Sequence, residues 1–222
     1  MNPVRIAVID SGVSVPHPHI GTVRGGISIG EDGETAEYGD RVGHGTAVMA
    51  AIMDHAPDAE YFAVRVFQTS LRTRVEFLLR AIEWSIERGV HLINLSLGTA
   101  NPGHAERFVA LIARATEAGT LLISAREALP GSLAGVLGVG LDRDCPRDQY
   151  RWVRTPEGVE FNASGYPRSI PGVPPEANLN GISFAVANMT GFVARACRGL
   201  TAVNYASVCA ELIGSSSKPR SR

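Results

Sequence analysis

Lysine is nearly missing from this 222-residue chain: of 21 basic residues, only Lys218 is a lysine. Outside the tail the arginines are scattered, and 22 acidic residues bring the formal net charge to -1. That balance excludes a basic face for nucleic acid or for an anionic membrane surface. Cysteine is also scarce. Cys145, Cys197 and Cys209 are odd in number and show no CxxC spacing, which argues against a disulfide framework and against a zinc site. Cys197 and Cys209 fall in expected C-terminal helices and read as small buried hydrophobes. No apolar run approaches the ~18 residues of a membrane span. Met1-Asn2-Pro3 leads straight into an apolar strand rather than a signal peptide, so a cytoplasmic protein without a membrane partner is expected.

What is present is an alternation of short apolar runs with amphipathic stretches, the pattern of a parallel sheet covered by helices. Strands are expected over 4–9, 60–66, 91–95, 120–123 and 136–141, and helices over 44–53, 71–88 and 104–118. In the second helix Val75, Leu78, Leu79, Ile82 and Ile86 recur at three- and four-residue spacing and mark a buried stripe. Pro102-Gly103 breaks the chain before the third helix and Gly119 ends it. Residues 142–175 are richer in loops, with a hairpin around Pro156-Glu157-Gly158. Helices over 183–198 and 202–213 follow. The expected fold class is α/β: a mostly parallel central sheet flanked by helices on both faces, with a small loop and hairpin region near 142–175. One domain spans 1–213, and the polar segment 214–222 reads as a disordered tail.

Three short segments carry the chemistry: Val8-Ile9-Asp10-Ser11-Gly12, Gly43-His44-Gly45-Thr46 and Asn180-Gly181-Ile182-Ser183-Phe184-Ala185. Each sets a reactive side chain beside glycine, where the backbone turns sharply and another segment can approach. Singly, each has a plain structural reading. Asp10 fits a turn before Gly12, His44 fits a cap or a core position, and Ser183 fits a helix cap. Jointly they supply the carboxylate, imidazole and hydroxyl of an activated nucleophile, with Asp10 ending the first strand at the edge where such sheets bind ligands.

These segments resemble the subtilisin family (subtilases) of serine endopeptidases. Asp10-Ser11-Gly12-Val13 followed by His17-Pro18 is similar to the family's aspartate motif, and Gly43-His44-Gly45-Thr46-Ala47-Val48-Met49-Ala50 to its histidine motif. Ala56-Pro57-Asp58-Ala59 leading into Tyr61-Phe62-Ala63-Val64-Arg65-Val66 is similar to the strand after that helix. Ile93-Asn94-Leu95-Ser96-Leu97-Gly98 resembles the substrate-binding strand, and Gly181-Ile182-Ser183-Phe184-Ala185 the nucleophile motif. The resemblance runs in order over residues 3–200. It implies Ser183 as nucleophile, His44 as general base and acid, and Asp10 as the group that orients His44. It also implies that Ser96, Leu97 and Gly98 bind an extended peptide or protein substrate as an added strand; no cofactor is expected.

The departures from the family pattern are informative. Ile182 and Ala187 stand where the family usually has threonine and proline, and Phe67-Gln68-Thr69-Ser70 lacks its glycine-rich groove edge. The oxyanion segment, usually Ala-Gly-Asn, aligns with Ser124-Ala125-Arg126-Glu127, so Glu127 fills the asparagine position. An ionised carboxylate cannot donate to an oxyanion. In subtilisin the loss of that donor costs about 2.7–4 kcal/mol. Three outcomes are open. Glu127 turns away, toward Arg126; or it is protonated and donates; or turnover is lost and a peptide-binding module remains. A slow peptidase with a narrow or dedicated substrate, acting in a maturation step, is the leading expectation, and no prodomain is expected ahead of the first motif. No histidine metal site is expected, because no motif of ligand spacing appears. Glu31-Asp32-Gly33-Glu34 reads as a solvated loop rather than a calcium site.

Overall fold

The computed structural model describes residues 3–215. Its strands are β1 (Arg5–Asp10), β2 (Val23–Gly30), β3 (Gly33–Thr35), β4 (Glu60–Arg65), β5 (Leu92–Leu95), β6 (Leu121–Ala125), β7 (Leu137–Leu141), β8 (Tyr150–Thr155) and β9 (Gly158–Ala163). They form one sheet in the order β3-β2-β4-β1-β5-β6-β7-β9-β8. All neighbours pair in parallel except the two outermost, β2–β3 and β8–β9. The helices are α1 (His44–His55), α2 (Val75–Glu87), α3 (Ala105–Glu117), α4 (Ile182–Cys197) and α5 (Tyr205–Ser215).

Side-chain alternation along the central strands splits the core into two layers. On β1, Ile6 and Val8 pack with residues of α1, α4 and α5, whereas Ala7 and Ile9 pack with α2 and α3. A strand covered on both faces needs apolar residues at every position, which is why Ile6-Ala7-Val8-Ile9 reads as a continuous apolar run. Helix α4 lies inside one layer and buries 12 of its 16 residues. Its small residues permit the depth: a Cβ at Gly191 would collide with the side chain of His55 on α1.

Several boundaries differ from expectation. Helix α2 begins at Val75, not at residue 71, because Arg74 is extended (φ -84°, ψ 150°) and the exposed Leu71 offers nothing to bury. The hairpin expected in the 142–175 region is β8–β9, and its second strand joins the main sheet by pairing in parallel with β7. Strands β2 and β3 carry a weak sequence signal, as Gly25, Gly26 and Gly30 interrupt the first. Within the expected loop 31–34, Glu31-Asp32 form the turn and Gly33-Glu34 belong to the exposed edge strand β3. Helix α5 extends to Ser215, two residues into the expected tail, and 216–222 lie outside the described residues. Cys145, Cys197 and Cys209 are buried, and among the described residues none is joined in a disulfide. Among the described residues no helix is long and apolar enough to cross a membrane.

Candidate active site

Asp10 ends β1 near the middle of the sheet and is fully buried. Its Oδ1 accepts the Ser11 N–H at 2.7 Å and faces His44 Nδ1 at 2.8 Å. His44 is the first residue of α1, entered through Gly43 at φ 88°, a left-handed conformation that disfavours any residue with a Cβ. On its other side, a Cβ at Gly45 would run into the Gly12 carbonyl. These glycines let the start of α1 sit directly against the turn that follows Asp10. The His44 side chain is only 16% exposed. Burial disfavours its cation, but the hydrogen bond to Asp10 and the charges of Asp10 and Asp40 outweigh it, so the imidazole titrates above its ordinary value. With Nδ1 committed to Asp10, Nε2 is the nitrogen left for proton exchange.

Ser183 is the second residue of α4 and half-buried. The next residue, Phe184, places its ring 5.7 Å from that of His44, so the starts of α1 and α4 meet. Ser183 Oγ donates to the Ser96 carbonyl at 3.2 Å, and Ser96 Oγ donates back to the Ser183 carbonyl at 3.3 Å. Beneath them Asn94 Nδ2 donates to Ser96 Oγ at 3.0 Å, and Thr190 Oγ1 donates to Asn94 Oδ1 at 2.9 Å. This buried chain ties α4 to the end of β5.

Of the substrate-binding candidates, Ser96 is therefore brought against Ser183, Leu97 packs toward the α2–α3 layer, and Gly98 is exposed. Beyond Gly98, Thr99 and Leu129 exchange both backbone hydrogen bonds, at 3.0 and 2.9 Å. That bridge fastens the segment to the loop after β6. Glu127 stands exposed in this loop, two residues past β6, whose Ser124 is in register with Leu95 of β5. Arg126, the expected partner of Glu127, instead directs its guanidinium to Asn162 at 3.2 Å and to Glu160 at 3.5 Å. Asn94, Thr190 and Asp40 were not legible as site residues. Asp40 lies four positions before His44 and three before the N-cap Gly43, outside the usual capping position, and the other two sit in apolar runs. Among the described residues no group of three or more His, Cys, Asp or Glu could hold a metal ion.

A second histidine on α1 has the opposite electrostatics. His55 is pushed down to about 4 by burial and by the Arg147 charge, against the pull of its Asn188 hydrogen bond and Asp54. It packs on Phe192 with 4.5 Å between ring centroids. The folded state holds it neutral while the unfolded chain takes up a proton below about pH 6.5. Stability is thus fully present above that pH and is lost as pH falls toward 4, by on the order of 3 kcal/mol. His19 and His91 shift in the same direction, so the variant isolates the effect. Thermal melts across this window should show a flatter pH dependence for His55→Gln than for wild type.

Comparison with known proteins bears on the chain as a whole. The Subtilase family profile (Peptidase_S8) matches residues 2–126. Subtilisin BL of Lederbergia lenta is 29% identical over 213 residues, covering 86% of this chain and 75% of that protein. The chain spans about half, 53%, of the longer alkaline protease of Alkalihalobacillus alcalophilus, again at 29% identity. A crystal structure of a lanthipeptide protease superposes with a TM-score of 0.69 at 19% identity, covering 92% of this chain and 77% of that one, and shows the shared fold. The prenylagaramide maturation protease PagA superposes with a TM-score of 0.64 at 25% identity, covering 88% and 75%. The match over more than half of the chain decides the family: the chain belongs to the subtilase family of serine peptidases.

Proposed function

We propose that the protein is a serine endopeptidase that cleaves an extended peptide through Asp10, His44 and Ser183, with a narrow substrate range. The observation that carries this reading is the 2.8 Å contact of buried Asp10 with His44, at the helix start that meets the start of α4. Asp10 holds the imidazole with Nδ1 protonated, so that Nε2 can accept the Ser183 proton as Oγ attacks the carbonyl carbon. His44 then passes that proton to the leaving amine, and water hydrolyses the acyl-enzyme by the same route in reverse.

Ser183 Oγ must first leave the Ser96 carbonyl. A substrate N–H pairing with Ser96 as an added strand competes for that acceptor and frees the hydroxyl for His44. The oxyanion that forms has one inherent donor. As the second residue of α4, Ser183 has a backbone N–H without an intrahelical partner, at the positive end of the helix dipole. Glu127 stands exposed in its turn, and a carboxylate there accepts hydrogen bonds rather than supplying a donor. Turnover is then slower than in relatives with the asparagine, and discrimination between peptides rests on groove contacts.

The names of the two structural neighbours, a lanthipeptide protease and a prenylagaramide maturation protease, support processing of a peptide precursor as the role. Three buried cysteines outside any disulfide accord with a reducing, cytoplasmic setting. A second reading, a peptide-binding module without turnover, is favoured by Glu127 alone. Mass spectrometry of a peptide library separates them. Wild type should cut at a small set of sites, and Glu127→Asn should cut the same sites at an equal or higher rate. Rapid, broad digestion of casein by wild type contradicts the narrow range, and an uncut library favours the binding module.

A further inference from the structure

We infer that Asp40 is the positioning residue of this site, locking the start of α1 onto the turn after Asp10 so that His44 is held in line with its carboxylate. The inference rests on the triad reading above and adds a second carboxylate to it. Asp40 Oδ1 accepts from Ser11 Oγ at 2.9 Å, from the Val42 N–H at 2.9 Å and from the Gly43 N–H at 2.8 Å. Its Oδ2 accepts from the Thr46 N–H at 2.9 Å and from Thr46 Oγ1 at 2.5 Å. Two of these partners pass the connection on. Ser11 Oγ accepts the Gly45 N–H at 2.8 Å, and Thr46 Oγ1 accepts the Ser14 N–H at 3.0 Å. One carboxylate thus gathers donors on both sides of the Asp10–His44 pair. Ser11 and Ser14 belong to the turn after β1, and Gly43, Gly45 and Thr46 to the start of the helix.

The backbone just before Asp40 is anchored as well. Arg65, only 3% exposed and in register with Asp10 on the neighbouring strand, donates from Nη1 to the Gly39 carbonyl at 2.7 Å and from Nε to Ser28 Oγ at 2.9 Å. Burial would raise the Asp40 pKa, but the bonds from Thr46, Gly43 and Val42 win and hold it below the usual carboxylate range. Asp40 is therefore an anion wherever His44 can act as a base. A cap alone needs one or two of these bonds. The remainder join the turn after β1 to the start of α1, the two segments that set His44 against Asp10.

The charged groups acting on His44 are Asp10 and Asp40, while α4 presents the uncharged Ser183 and Phe184. Removing the Asp40 charge therefore lowers the His44 pKa, a change that simple loosening of a helix end does not produce. The test follows covalent labelling by a fluorophosphonate across pH in wild type, Asp40→Asn, Thr46→Val and Ser183→Ala, with circular dichroism to confirm folding. In Asp40→Asn the maximal labelling rate should fall by about 10- to 100-fold, with probe affinity unchanged and the acid limb moved to lower pH. Thr46→Val, which deletes one donor and leaves the carboxylate, should give a smaller fall of the same kind. A folded Asp40→Asn with the wild-type rate and acid limb overturns the proposal. If Asp40→Asn does not fold, Thr46→Val decides, and an unchanged rate there overturns it. Labelling of Ser183→Ala at the wild-type rate would instead sink the triad reading itself.

Discussion

Replacing Ser183 with alanine is expected to lower kcat for any cleaved peptide by about 10⁴- to 10⁶-fold while leaving the fold intact. That scale belongs to triad enzymes, subtilisin among them, and is carried over rather than built from this chain. The loss should be nearly complete because Ser183 stands at the start of α4, whose next residue, Phe184, reaches the ring of His44, and His44 is paired with the buried Asp10 carboxylate. Stability should barely change. The lost Ser183–Ser96 hydrogen bond is part-buried, and its net worth is about 1 kcal/mol. The serine-to-alanine protein should still bind peptide through the strand at Ser96, so KM-like affinity measured by competition should persist. Steady-state hydrolysis of a library-derived peptide checks the first statement, and thermal melts the second. A variant that unfolds would show that Ser183 has a structural role not visible in its contacts.

Asp10→Asn should cost nearly as much, about 10⁴-fold in kcat. An amide in place of the carboxylate can present its NH₂ group to His44 Nδ1, favouring the tautomer in which Nε2 already carries the proton and cannot accept one. The pH profile should move as well, and its direction is fixed by the electrostatics. The base form of His44 is needed for attack, and its pKa is raised by the bond to Asp10 and the nearby charges in spite of burial. In wild type, activity is therefore lost as pH falls through a value above the ordinary imidazole pKa of about 6.5. In Asp10→Asn the opposing burial remains and most of the attraction is gone, so the acid limb should drop. An unchanged limb in a folded variant would mean that some other group controls the profile.

The parts of the chain that could be read from sequence are those governed by local rules. The α/β alternation, the five central strands and the buried stripe of α2 follow from periodicities of one element at a time. The three glycine-flanked segments were legible because glycine marks the places where backbones must approach, as at Gly43 and Gly45. Strands β2 and β3 were not, because a strand broken by three glycines draws its stability from pairing with β4, which lies some 30 residues later. Asp40 escaped for a related reason. Nothing in Asp40-Arg41-Val42-Gly43 signals that its carboxylate will meet Ser11, since that contact depends on where β1 ends relative to α1. Glu127 is the converse case. Its identity was plain, but its exposed turn and the diversion of Arg126 to Asn162 and Glu160 come from the neighbouring β9.

The central claim is that His44, held by Asp10, activates Ser183. Intact-mass analysis after exposure to a fluorophosphonate, which bonds covalently to an activated serine hydroxyl, tests it most directly. Wild type should gain a single adduct that maps to Ser183, Ser183→Ala should gain none, and His44→Ala should gain only a trace over the same time. A folded wild type without an adduct, or labelling undiminished in His44→Ala, would contradict it.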